Sequence, residues 1–352
     1  MNIHIFPHEK FTASFIEMIN KNFESNDHIF LVFKKAEYLT KDKSFDYDNV
    51  FFYNSEKDVI LHLNKIPGKK KLILHSLFWG KDLFLYFISN MRLLKNSYWV
   101  LWGADLYNYL MNSRYNKWEI LRRMIIKRIG NIITYVEGDY ILAKKWYKTK
   151  AIYYSGFYPY LIDTELINSK HKVKLSREKI AIQIGNSADP SNNHIEIIDY
   201  LSKYKDKNIE VICPLAYGDK EYTKDVIQHG KKVLGNKFNE QVKFLSYEEY
   251  VNSLNDIDIA IFNHKRQQAM GNILTLLYMG KKVYIRDDIS TWSFLKSINI
   301  NVFEISGIKK EDEFFSLIDE CKTNENRNIL EVEFSNKKFI SDWSKVFFSD
   351  KY

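Results

Sequence analysis

Along this chain, short and almost unbroken apolar runs alternate with longer stretches in which apolar residues return every three or four positions. The first pattern belongs to strands buried on both faces, the second to helices with one covered side. Strand-like runs lie at Asn2–Phe6, His28–Phe33, Asn49–Tyr53, Lys71–His75, Tyr98–Trp102, Ile132–Val136 and Ala151–Tyr154. The alternation restarts at Lys179–Ile184, Ile209–Cys213, Val242–Leu245, Ile257–Phe262 and Lys282–Ile285. Between the two series, Asn168–Glu178 is polar and aperiodic, which predicts a linker. The expected organisation is α/β: two doubly wound, Rossmann-like domains over residues 1–167 and 179–335, facing across a cleft. A linker at 168–178 joins them, and a C-terminal helix over 336–352 packs back toward the first domain.

Composition narrows the class. A length of 352 residues, 45% apolar and 16% aromatic, suffices for two packed cores. The net charge of +8 favours a polyanionic partner: nucleic acid, a phospholipid surface or a phosphorylated small molecule. Cys213 and Cys321 make neither a metal-binding pattern nor a disulfide framework, which suits a reducing compartment. The start "MNIHIFPHEK" is not a signal peptide and no apolar run reaches the length of a bilayer span, so a cytoplasmic protein is expected.

The candidate chemistry sits in loops after strands. In "IQIGNSADPSNNHIEII" Gly185 turns the backbone off a strand, and Asn193 with Glu196 reads as a helix N-cap and its capping-box partner. Asn186, Ser187, Ser191 and His194 add polar side chains to what is otherwise an anion site at a helix start, or an ordinary capped turn. After Ile257–Phe262 come His264, Lys265, Arg266, Gln267, Gln268, Gly271 and Asn272, then a helix expected over Ile273–Met279 and closed by Gly280. Such a loop suits clamping a diphosphate, with Arg266 neutralising charge on a leaving group. The nearby "DID", Asp256–Asp258, imitates a metal signature but runs into a strand, and no metal is expected.

In the first half, "WVLWGADLYNYL" sets Trp102, Gly103, Asp105 and Tyr107 after a strand end. Asp105 there is a general base, a substrate-orienting acceptor or, equally, a plain helix cap. His75 ends the preceding strand. Arg114, Arg122, Arg123, Lys127 and Arg128 surround an apolar helical stripe and suit phospholipid head groups or a lipid diphosphate. The basic residues do not form a recognisable nucleic-acid module, so no nucleic-acid partner is expected.

"WGADLY", the basic "RY…LRR…KR.G" segment, Gly138–Asp139, "GNS.D.SN.HI" and "RQQ..G" follow one another as in glycosyltransferase family 56, which this chain resembles from about His75 onward. That is the family of TDP-4-acetamido-4,6-dideoxygalactose (TDP-Fuc4NAc) transferases of enterobacterial common antigen synthesis. The resemblance implies a GT-B fold and a metal-independent enzyme without cofactor, peripheral on the cytoplasmic face of the inner membrane. It implies a dTDP-sugar donor and a polyprenyl-diphosphate-linked saccharide acceptor. It also implies donor contacts from Gly185, Asn186, Ser187, Asp189, Asn192, His194, His264, Arg266, Gln267, Gln268, Gly271 and Asn272, with Tyr217 near the nucleotide base. His75, Trp102, Gly103, Asp105, Tyr107, Arg114 and Asp139 fall in the acceptor half. After His75, "SLFWG" departs from a more polar family pattern.

Overall fold

Every apolar run that pairs with neighbours on both sides becomes a parallel strand. In the computed structural model, which describes residues 1–9, 11–33, 47–111, 116–170 and 179–349, the chain forms two compact units. Unit 1 holds β1 (Asn2–Pro7), β2 (His28–Phe33), β3 (Val50–Tyr53), β4 (Lys71–His75), β5 (Ser97–Val100), β6 (Asn131–Ile133) and β7 (Ile152–Tyr154). They pair in the order β3-β2-β1-β4-β5-β6-β7. Unit 2 holds β8 (Ile180–Ile184), β9 (Ile209–Pro214), β10 (Phe238–Gln241), β11 (Ile259–Phe262), β12 (Lys282–Ile285) and β13 (Phe303–Glu304), ordered β10-β9-β8-β11-β12-β13. In each sheet the order reverses beside the first strand, between β1 and β4 and between β8 and β11, which is where doubly wound sheets open a crevice at their carboxyl ends.

The central strands explain why alternation is absent from their sequences: all five residues of β4 are buried, and Ala181 to Ile184 of β8 likewise. In unit 1, Ile3, Ile5, Leu72, Leu74, Trp99 and Ile132 share one apolar cluster with the helices Lys81–Ser89 and Lys117–Arg128. The opposite face carries His4, Phe6, Phe30 and His75, and receives Phe15 and Trp343 from two helices.

Several expectations move. Val242–Leu245 is not a strand. The edge strand is Phe238–Gln241, which needs apolar residues on one side only, while Val242 and Phe244 are exposed at 55% and 72%. The two-residue β13 is too short to leave a signal. Strands β5 and β6 stop earlier than their apolar runs, at Val100 and Ile133. Helix Thr164–Lys170, placed by sequence in the first domain and linker, belongs to unit 2: Asn168 donates to Tyr278 Oη at 3.3 Å and Lys170 pairs with Glu248. The remaining linker residues 171–178 lie outside the described residues.

The helix Asn336–Phe347 completes unit 1, not unit 2. Trp343 Nε1 donates to Phe157 O at 3.0 Å, and Asp342 accepts from Ser155 Oγ at 2.8 Å. Buried Lys71 reaches its last turn, donating at 2.9 Å to the carbonyls of Val346 and Phe347, a cation placed on the negative end of the helix dipole.

Candidate functional site

In unit 2 the loops leaving β8 and β11 meet at the order reversal. Gly185 opens the first with φ +64; a Cβ there would lie 2.3 Å from His194 Nε2 and 2.6 Å from Asn192 Oδ1, so no other residue fits. Asn192 Oδ1 accepts the backbone N–H of Asn186 at 3.0 Å and also bonds His264 Nε2 at 2.8 Å. Because a backbone N–H only donates, the Asn192 amide orientation is fixed and His264 donates from Nε2, leaving Nδ1 as an acceptor. Burial, then neighbouring Arg266, pushes the His264 pKa down to about 3. Burial alone holds His194 at about 4. Both rings are neutral polar groups rather than cations.

The capping box expected at Asn193 and Glu196 is corrected. Asn193 sits at φ +49 without capping the helix His194–Leu201 by its side chain; it donates to Ser191 O and Asn263 O, while Glu196 accepts from Asn263 Nδ2 at 2.9 Å. Both side chains therefore tie the two loops together. Asn263, which sequence reasoning passed over, is the hub, since its Oδ1 also takes Arg286 Nη1 at 3.4 Å. Its only signal is its place as the first polar residue after β11.

A second tie is made by Asp189, Ser191, Arg266 and Gln268. Ser191 Oγ lies 2.5 Å from Asp189 Oδ1 and 2.6 Å from Gln268 Oε1, and Arg266 Nη2 lies 3.5 Å from Asp189 Oδ2. Burial pushes the Asp189 carboxyl up, but the Ser191 hydroxyl and amide, with Arg266, pull it below the usual carboxylate value. Tyr217 accepts from Asn186 Nδ2 at 3.1 Å, and its loop is held to Ala188 by a backbone bridge at Gly218. The second helix starts earlier than expected, at Met270: Ala269 at φ +57 turns the chain, Gly271 and Asn272 stand in the first turn, and no side chain caps it. Its first-turn amides are left without a side-chain cap, the kind of helix end that attracts anions. Gln267 is half-buried in the connecting loop. Asp258 of "DID" spends Oδ2 on Ala181 N at 2.9 Å, a strand-edge tie.

In unit 1 the carboxyl edge is built differently. Asp105 is fully buried, and its oxygens accept four N–H bonds: Trp99 Nε1 at 2.7 Å, Trp102 N and Leu106 N at 3.0 Å, and Leu77 N at 3.1 Å. Burial raises its pKa while these bonds and Arg122 oppose the rise. Placed so, the carboxylate fixes the two loops after β4 and β5; the expectation of an exposed base is corrected, since no lone pair is turned to solvent. Ser76, at φ 68, and Gly103, at φ 76, shape the same two loops. Tyr107 donates to Asp139 at 3.2 Å and both are buried, so they brace each other. Only Trp102 of this set stays partly open. Arg114 lies outside the described residues.

His75 is fully buried. Its Nδ1 lies 2.6 Å from Tyr158 Oη, which also accepts Trp102 Nε1 at 2.8 Å, and its Nε2 lies 3.1 Å from His4 Nδ1. Sequence reasoning missed Tyr158 and His4; a histidine inside the run "NIHIF" was the available signal.

The basic helix is corrected too. Arg122 points inward, bonding Glu119 at 2.8 Å and 3.0 Å and Tyr147 Oη at 2.8 Å, and Arg123 bonds Glu119 at 2.7 Å over the Tyr109 ring. Glu119, three and four residues before them, claims both cations. Lys127 and Arg128 remain exposed. No described helix is long and apolar enough to cross a membrane.

Comparison with known proteins agrees with this layout. The sequence model of the family described as "4-alpha-L-fucosyltransferase glycosyl transferase group 56" matches residues 4–349. Among solved structures, a glycosyltransferase from Rickettsia africae superposes with a TM-score of 0.67 at 14% identity, covering 99% of this chain and 98% of that one. WaaG, a glycosyltransferase involved in lipopolysaccharide biosynthesis, gives 0.60 at 11% identity, covering 99% of each. A structure described as trehalose-6-phosphate from E. coli bound with UDP-2-fluoro glucose gives 0.63 at 10% identity, covering 99% and 98%. The two-domain architecture is that of GT-B glycosyltransferases.

Proposed function

Because this chain belongs to glycosyltransferase group 56, we propose that it transfers a 4-acetamido-4,6-dideoxyhexose from a dTDP-sugar to a saccharide carried on a polyprenyl diphosphate. The donor binds unit 2 at the meeting of the loops after β8 and β11. The observation that carries this reading is the uncapped start of the helix Met270–Tyr278, joined to Arg266 and set against the amide-rich loop from Gly185 to Asn192. Uncapped helix-start amides and a guanidinium in the loop leading to them suit a diphosphate whose negative charge grows as it departs. Neutral His194 and His264 suit hydroxyl and carbonyl groups of the donor better than its phosphates. Tyr217, 53% exposed, offers a ring face to the base.

The acceptor binds unit 1 near Trp102. Asp105 serves this reading as a positioning residue that holds the loops around Trp102, with His75 behind it. Donor binding needs no divalent metal, since Arg266 and the helix start supply the positive potential. The enzyme works in the cytoplasm, peripheral to the anionic inner membrane, with Lys127 and Arg128 as cations free to meet it.

Two measurements test the reading. In a thermal-shift panel dTDP should raise the melting temperature more than GDP or ADP, and should do so in EDTA; equal shifts from all three, or shifts only with magnesium or manganese, overturn it. Arg266→Ala should lower turnover by roughly 100- to 1,000-fold, the scale of one lost electrostatic stabiliser, and weaken dTDP binding as well.

A further inference from the structure

Unit 1 has a crevice of its own, and its lining differs in kind from that of unit 2. The sheet reverses order between β1 and β4, so the loops after those strands and their neighbours meet at the carboxyl edge. Among the described residues of the loops after β1, β4, β5 and β6, at 8–11, 76–80, 101–103 and 134–136, there is no Lys or Arg, and Glu9 is the one carboxylate. In unit 2 the loops after β11 and β12 bring Lys265, Arg266 and Arg286 to the corresponding edge. A diphosphate suits the edge of unit 2, whereas an uncharged ligand suits that of unit 1.

Trp102 stands in this uncharged edge, gripped at two points. Its backbone N–H donates to Asp105 Oδ1 at 3.0 Å, and its indole Nε1 donates to Tyr158 Oη at 2.8 Å. Phe11, from the loop after β1, meets the indole at right angles with 4.8 Å between ring centroids. Because β4 lies between β1 and β5, an indole that starts at the end of β5 and touches the loop after β1 crosses the end of β4. It remains partly open there, as does Phe11, and Phe78 in the loop after β4 is 48% exposed.

What lies behind the indole fixes it. An indole N–H only donates, so Tyr158 Oη accepts from Trp102 and gives its own proton to His75 Nδ1 at 2.6 Å. His75 then donates from Nε2 to His4 Nδ1 at 3.1 Å, and His4 from Nε2 to His28 Nδ1 at 3.1 Å. Burial keeps all three imidazoles neutral, and Phe6 stacks on His75 with 3.5 Å between centroids. The chain is closed at both ends. It holds the Tyr158 hydroxyl, and through that hydroxyl the plane of the indole.

We propose that Trp102 is the platform on which unit 1 stacks a saccharide ring of the acceptor, and that Tyr158 and His75 are positioning residues that hold its indole. This rests on the glycosyl-transfer reading. A hexopyranose with one face free of axial hydroxyls presents C–H bonds there, an apolar surface that an indole can cover while the hydroxyls around the ring stay hydrated. A free tryptophan side chain would lose rotamer freedom in making that contact, and one already held by two hydrogen bonds loses little. Unit 1 thus reads the sugar of the acceptor in this crevice, and the acceptor's diphosphate takes no part in it.

The test titrates wild type, Trp102→Ala, Trp102→Phe and Tyr158→Phe with the methyl glycosides of glucose, galactose, N-acetylglucosamine and N-acetylgalactosamine. Binding is followed by saturation-transfer NMR, with dTDP affinity measured separately. At least one glycoside should bind the wild type, taking saturation chiefly on the C–H bonds of one ring face, and inorganic pyrophosphate should not displace it. Trp102→Ala should weaken that binding roughly 10- to 100-fold, the scale of one lost aromatic stack. Trp102→Phe, which returns a ring without the N–H, should recover part of the loss. Tyr158→Phe should weaken binding roughly two- to tenfold and remove the exchange protection of the Trp102 indole proton. All three variants should keep wild-type dTDP affinity. A folded Trp102→Ala that binds the glycosides as wild type does overturns the proposal, and so does displacement by pyrophosphate or failure of every glycoside to bind. If Trp102→Ala does not fold, Trp102→Phe and Tyr158→Phe decide: wild-type glycoside affinity in both overturns it. A wild type that binds a glycoside through Trp102 but neither binds nor turns over any nucleotide sugar loses the glycosyl-transfer reading and keeps the saccharide platform.

Discussion

Acid should unfold unit 1 well before its carboxylates titrate. His4, His28 and His75 are neutral in the fold because burial penalises their charged forms; His28 is held at about 4 and the other two well below the usual 6.5. In the unfolded chain each recovers a pKa near 6.5. Below that value the unfolded state binds protons that the folded state refuses, so the stability these groups contribute is complete above pH 6.5 and falls as pH drops toward the folded pKa. At pH 5.5 each costs on the order of 1 kcal/mol, and the three together several kcal/mol against a usual domain stability of about 5–15 kcal/mol. His194 and His264, at about 4 and about 3, each add on the order of 1 kcal/mol in unit 2 by the same route. Six of the seven tryptophans lie in unit 1, Trp292 being the exception, so urea melts followed by tryptophan fluorescence at pH 7.5 and pH 5.5 report chiefly on unit 1. A denaturation midpoint that stays put between those pH values, or proton NMR titration of His4 and His75 near pH 6.5, would refute the reasoning.

Three further outcomes follow from the geometry. Asp189→Asn keeps the oxygen that caps Ser191 but removes the charge that holds Arg266, so dTDP should bind more tightly, by about 1 kcal/mol or roughly fivefold in a calorimetric titration; weaker binding would mean that Asp189 contacts the donor. Asp105→Asn puts an NH2 against N–H donors in a sealed site and should destabilise unit 1 by about 3 kcal/mol in urea melts, while any folded fraction keeps dTDP affinity; a fully stable but inactive variant would restore Asp105 as the base. Reversing Lys127 and Arg128 to Glu should weaken flotation with anionic liposomes and leave the fold intact, whereas Arg122→Glu should unfold the protein; unchanged flotation removes this helix as the docking face.

The fold was legible because parallel central strands leave an apolar run that little else imitates: β1, β4, β8 and β12 were found to within a residue or so. Edge strands leave less. "FNEQ" satisfies β10 with one buried Phe238, and the apolar "VKFL" beside it proved to be exposed loop. The polar loops after β8 and β11 were visible as breaks in apolar patterning, and they do come together. What they do to one another was not visible, because Asn193, Glu196 and Asn263 act across 70 residues of chain, and a local capping rule assigned the first two to their own helix. Charge misled most in unit 1. Asp105 and Arg122 read as solvent-facing chemistry, yet each is spent on partners that sequence distance conceals: Leu77 donates to the Asp105 carboxylate across 28 positions, and Tyr147 binds the Arg122 guanidinium across 25.

Backbone strain marks the same places from another direction. Non-glycine residues with positive φ include Ser76 after β4, Asn193 after β8 and Ala269 after β11, beside Gly103 and Gly185. Asn tolerates the left-handed region through its short polar side chain, whereas a Cβ such as that of Ala269 costs roughly 1–2 kcal/mol there. A helix could start without that turn, so the strain is not needed to make the helix Met270–Tyr278. The turn at Ala269 instead separates the loop that carries Arg266 from the helix start, whose first amides have no side-chain cap. In unit 1 the turn at Ser76 swings Leu77 N onto the Asp105 carboxylate and leaves His75 behind it in contact with Tyr158. In each unit one such residue therefore stands at the carboxyl edge, Ser76 after β4 and Ala269 after β11, beside the point where the sheet reverses order.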